Sequence, residues 1–140
     1  MRAKQRGMTL IELVVVMLVV SILASVAISS YRRTVIRANR VDGTSALLRV
    51  AAAQEKLYIV NNTYASTALL PAGLTTSDRG YYTLTVAPDA SGFLTQGFVL
   101  TATPVAGGPQ AADAGCTTLT LDNTGTRGSS GTALLADCWK

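Results

Sequence analysis

Residues 8–28 form an apolar run broken only by Thr9, Glu12, Ser21 and Ser25, and no other feature constrains the fold as much. As a helix, this run spans about 31 Å at roughly 1.5 Å per residue, the thickness of a hydrocarbon core of about 30 Å. A basic tip carrying Arg2, Lys4 and Arg6 precedes it. Three readings fit a basic tip followed by an apolar run. One is a secretory signal peptide, with Ser25-Val26-Ala27 as a small-x-small cleavage site. The second is a plain transmembrane anchor. In the third, a short leader is cut on the cytoplasmic side at Gly7–Met8 and the apolar helix stays in the mature protein.

Glu12 separates them. A carboxylate inside an apolar span costs about 2.5–3.5 kcal/mol on insertion scales, so such a residue usually has a partner and a function. Neither a signal peptide nor a plain anchor needs one. Cleavage after Gly7 creates a free α-amino group on Met8, four residues before Glu12, and residues i and i+4 share a helix face. The new cation neutralises the carboxylate, within one chain or between neighbouring subunits of a fibre, where the pair sets axial register. The cut also removes Arg2, Lys4 and Arg6 from a chain of net charge +4.

The stretch Gly7-Met8-Thr9-Leu10-Ile11-Glu12 followed by an apolar run resembles the prepilin signature shared by type IV pilins and type II secretion pseudopilins. The resemblance implies cleavage by prepilin peptidase between Gly7 and Met8, N-methylation of Met8, and Glu12 as the assembly carboxylate. Glycine before the cut lets the backbone approach a membrane protease closely. Two positions depart from the family: Met8 stands where Phe is usual, and Ser29 stands where many pilins carry a helix-bending proline. The resemblance implies a leader over residues 1–7, a transmembrane and fibre-core helix over 8–30, and a globular head over 31–140. The implied class is α+β: a long helix, half transmembrane and half amphipathic, on a small antiparallel sheet, the pilin fold.

The residues beyond the apolar run agree with that layout. No proline occurs before Pro71, and residues 31–60 are rich in the helix formers Ala, Leu, Arg and Gln. Leu47, Val50, Ala51, Leu57 and Tyr58 make one apolar stripe, interrupted by Gln54. Gly43 is the sole glycine in the helix, a candidate flexible point, and Asn61-Asn62 marks its stop. Residues 61–80 read as a loop with a turn at Pro71-Ala-Gly73. Strands are expected over 81–86, 98–103 and 117–121, with a turn at Asp122-Asn-Thr-Gly125. Cys116 and Cys138 are the only cysteines and form one disulfide if the head reaches an oxidising compartment. That closes a loop of about 23 residues, worth roughly 2–4 kcal/mol. Trp139 reads as a packing anchor. The ending Cys138-Trp139-Lys140, with Asn61-Asn-Thr-Tyr64, residues 117–122 and Gly125-Thr-Arg-Gly128, is similar to PilE-like minor pilins.

The sequence pI of about 9.4 has to be located before it bears on partners. Arg32, Arg33, Arg37 and Arg40 cluster just past the apolar run. They read as a solvated face beside anionic lipid headgroups, or as donors of salt bridges to neighbouring subunits. Residues 61–140 carry three cations (Arg79, Arg127, Lys140) against five acids (Asp78, Asp89, Asp113, Asp122, Asp137). A slightly acidic head argues against DNA binding, which needs a basic surface, unless Arg79 and Arg127 sit together. The positive-inside rule gives a divided answer, because the tip and the Arg32–Arg40 cluster compete. The cysteine pair favours a cytoplasmic N-terminus and an extracytoplasmic head.

The expected function is a structural minor pilin, held in the bacterial inner membrane before assembly and in a cell-surface type IV pilus afterwards. Such a fibre supports adhesion, twitching motility or DNA uptake. Its partners are other pilin subunits, prepilin peptidase, the inner-membrane assembly platform and membrane lipid. Alternatives are a DNA-binding competence minor pilin and a type II secretion pseudopilin. The chain has no histidine, which excludes Ser-His and Cys-His pairs and His-ligated zinc. No nucleophile–base set, metal cluster or phosphate loop is legible, so neither an enzyme nor a cofactor is expected.

Overall fold

The structure is a computed structural model that describes residues 8–139. Its elements run α1 (Leu10–Asn61), a single 3-10 turn (Thr67–Leu69), β1 (Tyr82–Pro88), β2 (Phe98–Pro104), β3 (Thr118–Asp122), β4 (Arg127–Ser130) and α2 (Leu135–Cys138). The chain divides into two compact units at Val35/Ile36.

The described part of the first unit is helical from Leu10 onward, and every residue from Met8 to Thr34 is exposed. This stretch holds the apolar segment that is long enough to cross a membrane by length and composition. Three of its serine hydroxyls are satisfied internally. Ser21 Oγ donates to the Met17 carbonyl at 2.7 Å, Ser25 Oγ to Ile22 at 2.7 Å and Ser29 Oγ to Val26 at 2.9 Å. Back-bonding of this kind lets serine sit in an apolar helix without an orphan donor. Ser29, at the position where proline was the family expectation, lies within the continuous α1.

The second unit packs the C-terminal part of α1 on a four-stranded antiparallel meander in the order β1-β2-β3-β4. Alternation decides which face is buried, since successive strand side chains point to opposite faces. Tyr82 and Leu84 of β1, Phe98, Leu100 and Ala102 of β2, and Leu119 and Leu121 of β3 point inward. They join Ala46, Leu47 and Val50 of α1 in one core. The register is consistent across strands: Leu84 faces Ala102, Leu100 faces Leu121, and Ala102 faces Leu119. The three expected strands are present within two residues at each end, and the expected stripe on α1 is the face that meets the sheet.

Three sequence readings are corrected here. Gly43 is not a flexible point, because α1 passes through it unbroken. A Cβ there would lie 3.0 Å from two ring carbons of Tyr82 and 3.1 Å from Leu119 Cδ1. The glycine is what lets helix and sheet approach. Gln54 is not a flaw in the stripe. It is fully buried, with Nε2 donating to the Ala65 carbonyl at 2.7 Å and Oε1 accepting from the Ala65 N–H at 2.8 Å. It therefore ties the segment after α1 back onto the helix and satisfies both backbone groups of one buried residue. Finally, Arg40 does not belong to a solvated face: it is 6% exposed, whereas Arg32, Arg33 and Arg37 are exposed.

β4 and α2 were not legible. Arg127-Gly-Ser-Ser has no apolar alternation, and it becomes a strand only by pairing with β3, Thr118 opposite Ser130 through Leu121 opposite Arg127. The turn between them is built as the Asp122-to-Gly125 signal suggested. Asp122 Oδ1 accepts from the N–H groups of Thr124 and Thr126 at 2.9 and 2.8 Å. Burial pushes the Asp122 carboxyl up, but those bonds and the Thr124 hydroxyl outweigh it and hold it below the usual carboxylate range.

Candidate functional site

Two regions carry chemistry, the helix start and the C-terminal part of the head. Gly7 and the leader lie outside the described residues. At the helix start, the Glu12 N–H donates to Thr9 Oγ1 at 3.3 Å, and the Thr9 N–H approaches Glu12 Oε2 at 3.5 Å. This is a capping box, in which a side chain at each end satisfies a backbone donor of the other. Thr9 was missed as a functional residue. Its signal, threonine three residues before an acid and ahead of an apolar run, was present in the sequence. Glu12 thus has a local partner in Thr9.

In the head, Cys116 and Cys138 form a disulfide with Cα atoms 5.8 Å apart. Both are fully buried. Beside them Arg40 makes a forked ion pair with Asp113: Nε to Oδ2 at 2.7 Å and Nη2 to Oδ1 at 2.7 Å. Its third nitrogen, Nη1, donates to the Asp137 carbonyl at 2.9 Å. Hydrogen bonding with Asp113 raises the Arg40 pKa, against the opposing effect of burial. Removing one partner of such a buried pair strands the other charge, at a cost of about 3–5 kcal/mol. Gln110, fully buried, extends the network by donating from Nε2 to the Ile36 carbonyl and to the Tyr82 hydroxyl at 3.1 and 3.0 Å. Burial raises the Tyr82 phenol above its ordinary pKa, and the Gln110 bond works in the other direction.

Arg127 is exposed, with its guanidinium carbon 5.1 Å from the Trp139 ring centroid. Trp139 Nε1 donates to the Gly128 carbonyl at 2.8 Å, so the indole is anchored as expected. Arg49 pairs with Asp78 near the surface, an interaction of small energetic weight. Arg79 and Arg127 are not brought together. The hollow beside Arg79 is lined by Ala38, Val41 and Ser45, and that beside Arg127 by Leu48, Ala52 and Glu55. Among the described residues no cluster of three or more metal-ligating side chains occurs.

An exposed apolar helix with a carboxylate near its start, and a head of helix, antiparallel meander and terminal disulfide, define a pilin-type subunit. The family model described as "Type IV minor pilin ComP, DNA uptake sequence receptor" matches residues 29–120, and that of the prokaryotic N-terminal methylation motif matches residues 2–28. The chain therefore belongs to the ComP family of type IV minor pilins. It is a membrane-anchored structural subunit that assembles with other pilins at the cell surface. Among solved structures, a type IV pilin from Shewanella oneidensis is 31% identical, with 66% of this chain and 89% of that chain covered and a TM-score of 0.46. The Neisseria meningitidis non-core minor pilin PilV is 23% identical, with 72% and 92% covered and a TM-score of 0.54, a likeness of fold. No curated protein matches the chain.

Proposed function

We propose that this minor pilin is cut between Gly7 and Met8 by prepilin peptidase, N-methylated on Met8, and drawn into the fibre from the inner membrane by the assembly platform. Before assembly its N-terminus is cytoplasmic and its head lies outside the membrane. Glu12 is the assembly carboxylate, and its partner is the α-amino group of Met8, on the same chain or on a neighbour. The observation that carries this reading is the placement of Glu12 on the first turn of α1, at the start of its exposed apolar stretch. In the bilayer or the fibre core a carboxylate without a countercharge is costly, and the new ammonium offsets it. The match of residues 2–28 to the N-terminal methylation motif supports it.

The test is the intact mass and N-terminal sequence of protein from membrane and sheared-fibre fractions. A start at N-methylated Met8 is expected. A start at Ile28 would make the apolar run a discarded signal peptide and overturn the reading.

A role of the head in DNA uptake is favoured by one observation, the match of residues 29–120 to a family described as a DNA uptake sequence receptor. The net charge of residues 61–140 weighs the other way. Net charge is a sum, however, and a few exposed cations suffice for phosphate contact. Arg127, exposed over Trp139, is such a cation beside a ring on which a base can stack. Filter binding of the full chain in detergent micelles at two salt concentrations tests this. Binding that falls as salt rises, and falls again in Arg127→Ala, is expected. Absent or salt-insensitive binding sinks the DNA role and leaves the fibre role standing.

A further inference from the structure

The Arg40 guanidinium sits where the two cysteine-bearing segments meet. Its fork holds Asp113, whose Oδ1 also accepts the Cys116 N–H at 3.2 Å. Its remaining nitrogen holds the carbonyl of Asp137, the residue before Cys138. One rigid planar group on α1 is thus bonded, directly or through one carboxylate, to the backbone on both sides of the bridge. Space is made for it: a Cβ on Gly115 would lie 3.0 Å from Arg40 Nη2 and 3.3 Å from Asp113 Oδ1. All of these bonds are made by atoms other than the sulfurs, so they can form while the cysteines are still thiols.

We propose that Arg40 is the positioning residue for closure of the Cys116–Cys138 disulfide, holding the reduced chain with its two thiols already in register. Closure itself is thiol–disulfide exchange with a disulfide-bearing oxidant. A thiolate from one cysteine attacks the oxidant's S–S bond, giving a mixed disulfide and expelling one thiolate. The second cysteine's thiolate then attacks the protein sulfur of the mixed disulfide. The Cys116–Cys138 bond forms and a second thiolate leaves. The two protons lost by the cysteines are taken up by the two leaving thiolates, and two electrons pass from the cysteines to the oxidant, which ends as its dithiol or as two monothiols. Arg40 takes no part in the electron transfer. It raises the effective concentration of the second thiol at the first by cutting the freedom of the segments that carry them. Arginine suits this task better than lysine, because its fixed fork serves a carboxylate and a carbonyl at once.

The experiment equilibrates the full chain in detergent micelles with glutathione buffers of graded poise and measures the fraction of closed disulfide after acid quench. Arg40→Met is expected to shift the equilibrium at least tenfold toward the dithiol, about 30 mV for a two-electron couple. Arg40→Lys should recover part of that shift. Because Arg40→Met strands Asp113, the double variant Arg40→Met/Asp113→Leu is measured beside it. It removes both buried charges, and the same tenfold shift is expected. Gln54→Leu breaks a buried contact about 21 Å away along α1, and it should leave the equilibrium unchanged while the head stays folded. A double variant within twofold of wild type overturns the proposal. So does a Gln54→Leu shift as large as that of Arg40→Met, which would reduce Arg40 to one of many stabilising residues.

Discussion

Replacing Gln54 with leucine puts the packing of the head to a quantitative test. On hydropathy alone the change looks favourable, because Gln54 interrupts an apolar stripe and is fully buried. A buried leucine is worth about 1.5–3 kcal/mol relative to an exposed one. Against that, the N–H and carbonyl of Ala65, itself 8% exposed, both bond to the Gln54 amide. Each is left without its partner, at about 1–3 kcal/mol per buried group. The polar loss exceeds the apolar gain, and a net destabilisation of about 2 kcal/mol is expected. For a head of this size that lowers the melting temperature by roughly 10 °C. The assay is thermal unfolding of the full chain in micelles, followed by the near-ultraviolet signal of the head's tyrosines and tryptophan. Exchange of the Ala65 amide proton supplies a local readout. A Gln54→Leu head as stable as wild type, or one with Ala65 still protected, would refute the assignment of Gln54 as the tie.

Other perturbations follow from the same contacts. Gly43→Val places a branched side chain against Tyr82 and Leu119. Overpacking of about 1–3 kcal/mol should exceed the helix-propensity gain of under about 1 kcal/mol, read as a lower urea midpoint. Replacing both Cys116 and Cys138 with serine should cost about 2–4 kcal/mol in the same titration, and a change below about 1 kcal/mol would contradict the staple role. The raised pKa of Tyr82 gives stability that is fully present below the unfolded tyrosine value of about 10. It is lost as pH rises from there toward the folded value, because the unfolded chain releases its proton first. Tyr64, raised by burial and then by Glu55, acts with the same sign. Urea midpoints between pH 8 and 11 should therefore fall above about pH 10, and less steeply in Tyr82→Phe. Equal slopes would count against burial as the cause. Glu12→Ala should still insert in the membrane but be depleted from sheared fibres, and immunoblots of the two fractions would show it.

The local features are legible in the chain's own order of residues. An apolar run of bilayer length, the carboxylate within it, the helix that follows and three alternating strands depend on neighbours only a few residues apart. Periodicity and composition therefore reveal them. The capping partner Thr9, three residues before Glu12, belongs to this group. Which polar residues go inside depends instead on contacts made across the folded head. Arg40 is chemically identical to Arg32, Arg33 and Arg37, and its burial depends on Asp113, 73 positions away. Gln54 and Gly43 look like imperfections until Ala65 and the Tyr82 ring stand opposite them. β4, with no apolar alternation, exists because β3 supplies its hydrogen bonds. Where a residue's energy comes from a partner that loop closure brings near, the local pattern carries no trace of it, and the folded head is needed to show the pair.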